Sequence, residues 1–449
     1  MSSIVPGFIS KYTEHLAAKR IPQELYENYN VKRGLRNADG TGVLVGLTEI
    51  GGVHGYVIDE GEKSPVFGTL QYRGIDVKEL VAGFQTEGRF GFEETAFLLL
   101  FGYLPSAKEL ADFTGYLGRI RILPEGFIED MILKAPSPSV MNTLARAVLA
   151  CYSYDDNPDD ISIGNVLSQS MALIARFPVM VAFALQAKRR YYEKKTLFIH
   201  ECDPSLTTAE NFLRLIRMDK QYTKIEAEIL DLCLVIHAEH GGGNNSAFTT
   251  HVVTSSGTDT YSAIAAAVGA LKGPLHGGAS NRVRAMMLNI MENVKDWKDN
   301  EEVFAYMGRI LNREAFDHKG LIYGMGHAVY TLSDPRAELL KARAVDLAEA
   351  AGRSDELALY NLVEQISPEV FLRVTGKSKD ISANVDFYSG FVYSCLNIPE
   401  DLFTAIFAIS RITGWCAHRV EEILSGGRII RPAYKNVTKK YAYTPIAKR

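Results

Sequence analysis

The chain has 449 residues, of which 47% are hydrophobic and 23% are charged, and its formal net charge is −4 at pH 7. The apolar content excludes a disordered chain, and the small net charge gives no sign of a surface for nucleic acid or for a membrane. The five cysteines are scattered without a C-x-x-C spacing, which predicts a reducing compartment and no structural zinc. The length exceeds what one hydrophobic core usually holds, so two domains are expected.

The N-terminal segment, MSSIVPGFISKYTEHLAAKR, mixes acidic with basic residues and lacks a compact apolar stretch, unlike a signal peptide. The longest apolar stretch, residues 161–187, contains Arg176 and Pro178, which are expected to interrupt it. A membrane span needs about 18 predominantly apolar residues, so no span is predicted. We therefore expect a soluble protein and, without a clear transit peptide, a cytoplasmic one.

The first regular element in chain order is a strand region. Residues 41–59, TGVLVGLTEIGGVHGYVID, are rich in β-branched residues and broken by glycines, which predicts a β-hairpin. Beyond it, apolar residues recur at intervals of three and four, as in VKELVAGF, FEETAFLLLFGYL and VMNTLARAVLACY. The fold class predicted from this spacing is mainly α.

The next segment of interest is KIEAEILDLCLVIHAEH, which three glycines follow. Gly241 is expected to end this helix in the left-handed conformation, with His237 and His240 on one face of the last turn. The two histidines would either donate hydrogen bonds to exposed carbonyl groups at the helix end or take part in a binding site. This segment alone does not favour one alternative over the other. A zinc site of the H-E-x-x-H type needs histidines four apart, so a metal site is not predicted.

Two more histidines lie beside glycines. His276, in LKGPLHGGAS, precedes a helix expected to begin near Ser280, and the positive potential at that helix start would keep the imidazole neutral. A neutral imidazole can donate a hydrogen bond to a carbonyl group. His327 follows the glycines of GMGHAVY. The alternative is that these are ordinary turn residues, because glycines suit any tight turn.

A helix is predicted from DPRAELLKARAVDLAEAAG, with Asp334 as its cap, Pro335 at its first position and Gly352 after its end. Arg336 in its first turn would hold a carboxylate together with free backbone N–H groups, or would simply pair with Asp334.

Asp386, in SANVDFYSG, lies between apolar neighbours. An apolar setting would raise the pKa of its carboxyl group and strengthen it as a base. The alternative is a loop aspartate that accepts hydrogen bonds from its own backbone.

Segments along nearly the whole chain resemble the citrate synthase family, in the family's order. They are HAEHGGGNNSA, GPLHGGAS, GMGHAVYTLSDPR, NVDFYSG and RITGWCAHRVEEI, with YRGIDVKEL in the N-terminal half. The resemblance implies a two-domain helical fold with a short β-hairpin region near the N-terminus. It implies a large domain formed by residues 1–279, a small mobile domain of residues 280–395, and a segment, 396–449, that returns to the large domain and reaches a partner subunit.

The same resemblance implies that the protein condenses acetyl-CoA with oxaloacetate and hydrolyses citryl-CoA to citrate and CoA. His276 would donate a hydrogen bond to the thioester carbonyl, Asp386 would remove a methyl proton, and His327 would polarise the ketone and protonate the new alkoxide. The residues implied to bind oxaloacetate are His240, Arg336, Arg411 and Arg431. Arg431 would do so in the partner subunit's site of a homodimer, and His237 would be a supporting residue. Acetyl-CoA is then a co-substrate, and neither a permanently bound cofactor nor a metal is implied.

Three positions depart from the family's usual pattern. Glu239 stands where aspartate is usual, and Met325 stands where an aromatic residue is usual. Thr331 occupies a position that often holds a basic residue contacting CoA phosphates, so these contacts are unassigned, with Lys272 and Lys319 as candidates.

Two alternative functions remain open at this point. A 2-methylcitrate synthase using propionyl-CoA would carry the same motifs. A non-catalytic helical regulator is disfavoured because nothing structural demands His276, His327 and Asp386 together.

Overall fold

Helices make up most of the computed structural model, as the spacing of apolar residues predicts. The structure describes residues 9, 12–13, 15–16, 19–60, 62–376 and 380–449. The chain divides into two units, residues 1–47 and 48–449. In the first unit, residues 19–47 form a short helix, α1 (Gln23–Asn28), and a 3-10 turn at Arg33–Leu35.

A three-stranded antiparallel sheet opens the second unit. Its strands are β1 (Gly51–Asp59), β2 (Glu62–Tyr72) and β3 (Ile75–Asp76), in the order β1-β2-β3. The predicted hairpin near the N-terminus is therefore confirmed, but its position is shifted. Residues 43–50 belong to no strand, and β1 pairs with the segment that follows it rather than with the one before it. The end of β2 is buried against the helices, which anchors the sheet to the core.

The helices of the second unit are joined by connections of very different lengths, the longest of which runs from Leu311 to Pro335. They are α2 (Val77–Thr86), α3 (Phe92–Phe101), α4 (Ala107–Ile120), α5 (Val140–Cys151), α6 (Ile163–Tyr192), α7 (Thr208–Ile216), α8 (Lys224–His237), α9 (Asn245–Thr254), α10 (Thr260–Lys272), α11 (Ala279–Asn293), α12 (Asn300–Leu311), α13 (Pro335–Ala350), α14 (Ser354–Thr375), α15 (Val385–Cys395) and α16 (Phe403–Leu424), with a π-helical segment at Ile128–Leu133.

Helix α6 runs through the two residues that were expected to interrupt it. Pro178 lies inside the helix, where it removes one backbone hydrogen bond, yet most of the helix from Val166 to Ala187 is buried and this packing holds it together. Arg176 donates from Nε to the carbonyl of Ile120 at 3.1 Å, so its charge does not break the helix either. By length and composition α6 could cross a membrane, but 83% of its most apolar window is buried inside the protein, which identifies it as a core helix.

Helix α16 is the element on which the candidate site is built. It packs against α3, α6, α8, α9 and α10, and its residues from Phe403 to Val420 are almost all buried. Helices α13 and α15 pack against each other. The predicted domain boundaries after residues 279 and 395 lie inside the second unit and stay predictions.

Candidate active site

The glycine turn after α8 places His240 in the interior. The helix begins with a capping box formed by Thr223 and Glu226, and it ends at His237, three residues earlier than predicted. Gly241 has the expected left-handed conformation, with φ at 81°. Nε2 of His240 is buried and has no hydrogen-bond partner among the described residues. Burial and the charge of Arg336 hold the pKa of His240 well below its usual range, so the imidazole is neutral.

His237 lies at the end of α8 and bonds within that helix. Its ring is buried, and Nδ1 donates to the carbonyl of Cys233 at 2.8 Å, within its own helix. Burial, with the charge of Arg336, lowers its pKa to about 3.

Arg411, on α16, lies beside this turn with most of its hydrogen-bonding capacity unused. Its Nε donates to the carbonyl of His237 at 2.7 Å, while Nη1 and Nη2 are buried without a partner among the described residues. Burial lowers its pKa to about 10, which leaves the guanidinium charged at neutral pH. A buried cation with unsatisfied donors is costly unless an anion pairs with it. The arrangement is therefore suited to binding a carboxylate.

His276 lies in the connection between α10 and α11, as predicted. Its Nε2 is 3.0 Å from Oγ of Ser246. Trp415 donates from Nε1 to the same oxygen at 3.1 Å, and Ser246 is also within 3.0 Å of Oδ1 of Asn244. Burial, with the charge of Arg411, lowers the pKa of His276 to about 4, so this imidazole is neutral too.

His327 is held in one orientation by backbone donors. The amides of Val329 and Tyr330 donate to Nδ1 at 3.1 and 3.2 Å, so in the neutral ring the hydrogen lies on Nε2. The ring stacks on Tyr330, with centroids 4.8 Å apart, and lies 5.2 Å from the ring of His240. His327 thus presents a donor close to the glycine turn.

Backbone contacts join the His327 loop to the start of α15, where Asp386 lies. The amide of Gly326 donates to the carbonyl of Ser382 at 2.8 Å, and Nδ2 of Asn384 donates to the carbonyl of Gly326 at 2.9 Å. Oδ1 of Asn384 also accepts from the backbone N–H of Asp386 at 3.0 Å. Burial raises the pKa of Asp386 to about 6, with the charge of Arg336 opposing part of the rise. A carboxylate with a raised pKa is the better base.

Arg336 shows the pairing that the sequence left open as an alternative. Asp334 caps α13 by accepting the Arg336 backbone N–H at 3.0 Å, and it also accepts from Nε and Nη2 of Arg336 at 3.0 and 2.7 Å. The guanidinium is buried, and its charge acts on His240 and Asp386. The ion pair therefore fixes Arg336 at the edge of the site.

Arg431 differs from the other predicted residues in its surroundings. It is exposed, in an extended segment after α16, and the recorded contacts of the described residues do not connect it with the site. The structure brings together the remaining six residues, which are His240, His276, His327, Arg336, Asp386 and Arg411.

This chain matches known proteins along most of its length. The family described as "Citrate synthase, C-terminal domain" matches residues 38–433. The chain belongs to the citrate synthase family. It is 33% identical over 425 residues to a citrate synthase of Haloferax volcanii, with 93% of this chain and 99% of that protein covered. It is 36% identical over 368 residues to a citrate synthase of Deinococcus radiodurans, with 81% and 88% covered.

Solved citrate synthase structures share its fold. The enzyme of Thermoplasma acidophilum, in a ternary complex with carboxymethyl coenzyme A and oxaloacetate, has a TM-score of 0.74 at 26% identity, covering 93% of this chain and 99% of that one. The enzyme of Pyrobaculum aerophilum has a TM-score of 0.72 at 29% identity, covering 91% and 94%. These matches confirm the predicted mainly α fold. They also confirm the prediction that the protein is an enzyme and not a non-catalytic regulator. The protein is a citrate synthase that condenses acetyl-CoA with oxaloacetate to form citrate.

Two residues of this citrate synthase site were missed by the sequence reasoning. Ser246 and Trp415 lie within the quoted motifs, but a serine after glycines and a tryptophan on a buried helix are typical of ordinary packing. Their role depends on a contact between residues 169 positions apart in the chain, which no local signal indicates.

Proposed function

We propose that six residues carry the synthase reaction, three of them in catalysis and three in binding oxaloacetate. The observation that carries this assignment is a set of buried nitrogens without a hydrogen-bond partner among the described residues, namely Nη1 and Nη2 of Arg411 and Nε2 of His240. The ring of His240 lies 5.2 Å from that of His327, and the charge of Arg411 acts on His240, so a small anion bound beside them would pair with these nitrogens. Arginine suits this task because its planar guanidinium bonds a carboxylate through two parallel N–H groups.

In the first step Asp386 removes a proton from the acetyl-CoA methyl group while His276 donates a hydrogen bond to the thioester oxygen. A methyl group beside a thioester is a very weak acid, so base and donor act together on the two ends of the forming enol. Ser246 holds the ring of His276, because its oxygen lies 3.0 Å from Nε2. The same oxygen accepts the indole N–H of Trp415 at 3.1 Å, which fixes its position in turn.

In the second step the enol carbon attacks the ketone carbon of oxaloacetate. His327 polarises the ketone oxygen from Nε2–H and donates that proton as the alkoxide forms. The two backbone N–H groups on Nδ1 support this role, since they keep the hydrogen on Nε2. Hydrolysis of citryl-CoA then releases citrate and CoA.

The predicted small domain, residues 280–395, contributes His327, Arg336 and Asp386, whereas His240, His276 and Arg411 lie outside it. A motion of that domain would close the six residues around the bound substrates and exclude water until condensation is complete. Lys272 and Lys319 remain candidates for contacts with CoA phosphates.

No bound cofactor or metal enters this mechanism, because arginine charges and imidazole donors supply the stabilisation that a Lewis acid would give. We expect citrate formation to continue unchanged in the presence of EDTA. The rate of thiol release from acetyl-CoA, with and without chelator, measures this. Activity that disappears with EDTA and returns only with added zinc would contradict the proposal.

We propose acetyl-CoA rather than propionyl-CoA as the preferred thioester. One extra methylene in a close-fitting pocket is worth about 1–3 kcal/mol, so the expected preference in kcat/KM is roughly tenfold or more. The measurement is kcat/KM for both thioesters at saturating oxaloacetate. A preference for propionyl-CoA would assign the protein to 2-methylcitrate synthesis instead.

We further propose a homodimer with shared active sites, working in the cytoplasm within the tricarboxylic acid cycle. The basic segment after α16 supports the dimer, because its Arg431 is exposed in the single subunit. A partner subunit would bring that arginine to the oxaloacetate carboxylates.

A further inference from the structure

A chain of four side chains leads from the half-buried end of α16 to the glycine turn. Oε2 of Glu422 accepts from Nδ1 of His251, on α9, at 2.8 Å. Nε2 of His251 lies 3.2 Å from Nδ1 of His418, and Nε2 of His418 donates to Oε1 of Glu239 at 3.0 Å. The same Glu239 oxygen accepts the backbone N–H of Gly241. This series of hydrogen bonds therefore ends at Gly241, the residue that follows His240.

The hydrogen positions follow from the two carboxylates. An ionised carboxylate only accepts, so the outer nitrogens of both rings carry hydrogens, and one proton lies between the two facing nitrogens. The pair of rings thus bears one positive charge. Although burial lowers the pKa of His418, the carboxylates of Glu239 and Glu421 raise it to about 9, so the charge resides on His418.

Glu239 has a single position available. Its side chain is fully buried, and it lies between Gly51 of β1 and Gly414 of α16. A Cβ on Gly51 would be 2.7 Å from Cγ of Glu239, and a Cβ on Gly414 would be 2.4 Å from Oε2. The carboxylate offsets the charge of Arg411 electrostatically while leaving Nη1 and Nη2 unpartnered in the described part of the chain.

We propose that His251 and His418 are positioning residues for oxaloacetate. With Glu422 they hold Glu239 in place, and Glu239 holds the turn that carries His240 and sets the charge environment of Arg411. This inference rests on the proposed role of His240 and Arg411 in binding oxaloacetate. It predicts an effect on substrate binding and not on the proton transfers.

His251→Leu tests the proposal, because His251 is at the edge of the core and its loss leaves the buried pair of His418 and Glu239 intact. The KM for oxaloacetate is expected to rise on the order of tenfold, since one hydrogen bond to a charged partner is lost. The kcat and the KM for acetyl-CoA should stay within about twofold. His251→Gln, which keeps an acceptor for the His418 N–H, should restore most of the oxaloacetate affinity.

His200→Leu is the matched control. His200 is also partly buried, and its Nε2 bonds the carbonyl of Arg217 at 2.9 Å, but none of its recorded contacts reaches the described residues of the glycine turn. This variant should leave both KM values unchanged.

Three results would overturn the proposal. The first is an unchanged KM for oxaloacetate in folded His251→Leu, and the second is a uniform loss of kcat, affinity and thermal stability that His251→Gln does not restore. The third is the finding of one bound metal ion per chain that is lost in His251→Leu. The ligand atoms of His251, His418 and Glu421 all lie within 4.8 Å of one another, so a bound cation would replace the proton between the two rings.

Arg411→Leu separates this proposal from the proposed binding site. If it leaves oxaloacetate binding intact, the proposed binding site is wrong, whereas an effect of Arg411→Leu without one of His251→Leu contradicts only the positioning role.

Discussion

Asp386→Ala is expected to lower kcat by roughly 10²–10⁴-fold, which is what a general base usually contributes. The variant should no longer exchange the methyl protons of acetyl-CoA with solvent. Oxaloacetate affinity should remain nearly intact, because the proposed binding groups are the arginines and His240. Exchange is followed by NMR of the thioester methyl group, and oxaloacetate binding is measured by calorimetry.

Asp299→Ala provides a control at another helix start, outside the site. Asp299 caps α12 by accepting the backbone N–H groups of Glu301 and Glu302, at 2.9 and 3.3 Å. Its loss should cost about 1 kcal/mol of stability and leave turnover unchanged. An Asp386→Ala enzyme that turns over normally but binds oxaloacetate poorly would show that the assigned role is wrong.

A mixture of two inactive variants, Asp386→Ala and Arg431→Ala, is expected to recover about a quarter of wild-type activity after subunit exchange. In a mixed dimer one site would take Asp386 from one chain and Arg431 from the other, both intact, while the second site would lack both. With random pairing about half of the dimers are mixed, and half of their sites are active. Activity is measured per chain before and after exchange.

Arg428→Ala is the matched control for this experiment, since Arg428 lies three residues earlier in the same exposed segment. That variant should be active by itself. If the mixture stays as inactive as its parents although exchange is confirmed by a tagged subunit, Arg431 does not act across the dimer.

Local signals predicted the parts of the site that depend on neighbouring residues. The cap and first turn of α13 are as expected, because Asp334 and Pro335 act within one turn of the helix. Gly241 has the predicted left-handed conformation, because that conformation depends on the local turn after the helix. The functions of the histidines, by contrast, came from the family resemblance, and their sequence context alone left ordinary structural roles open.

Features that depend on distant contacts were not predicted. Helix α8 ends early, at His237, and the carboxylate of Glu239, two residues beyond that end, bonds His418, 179 positions away in the chain. The strand β2 was missed because it begins with exposed polar residues and contains Pro65, and only its end near Tyr72 is buried. Helix α6 continues through Pro178 for a similar reason, since tertiary packing outweighs local propensity.

The close fit around Glu239 restricts how this sequence can evolve. The three atoms nearest to a Cβ on Gly51 belong to the Glu239 side chain, so the need for glycine at position 51 depends on the long side chain at position 239. A Cβ on Gly414 would also lie 2.5 Å from the carbonyl oxygen of Ala238, so Gly414 is required whatever residue 239 is. Mutations at 51 and 239 are therefore ordered in time: a lineage can acquire glutamate only after glycine is present at 51, and it must lose the glutamate before that glycine can vary.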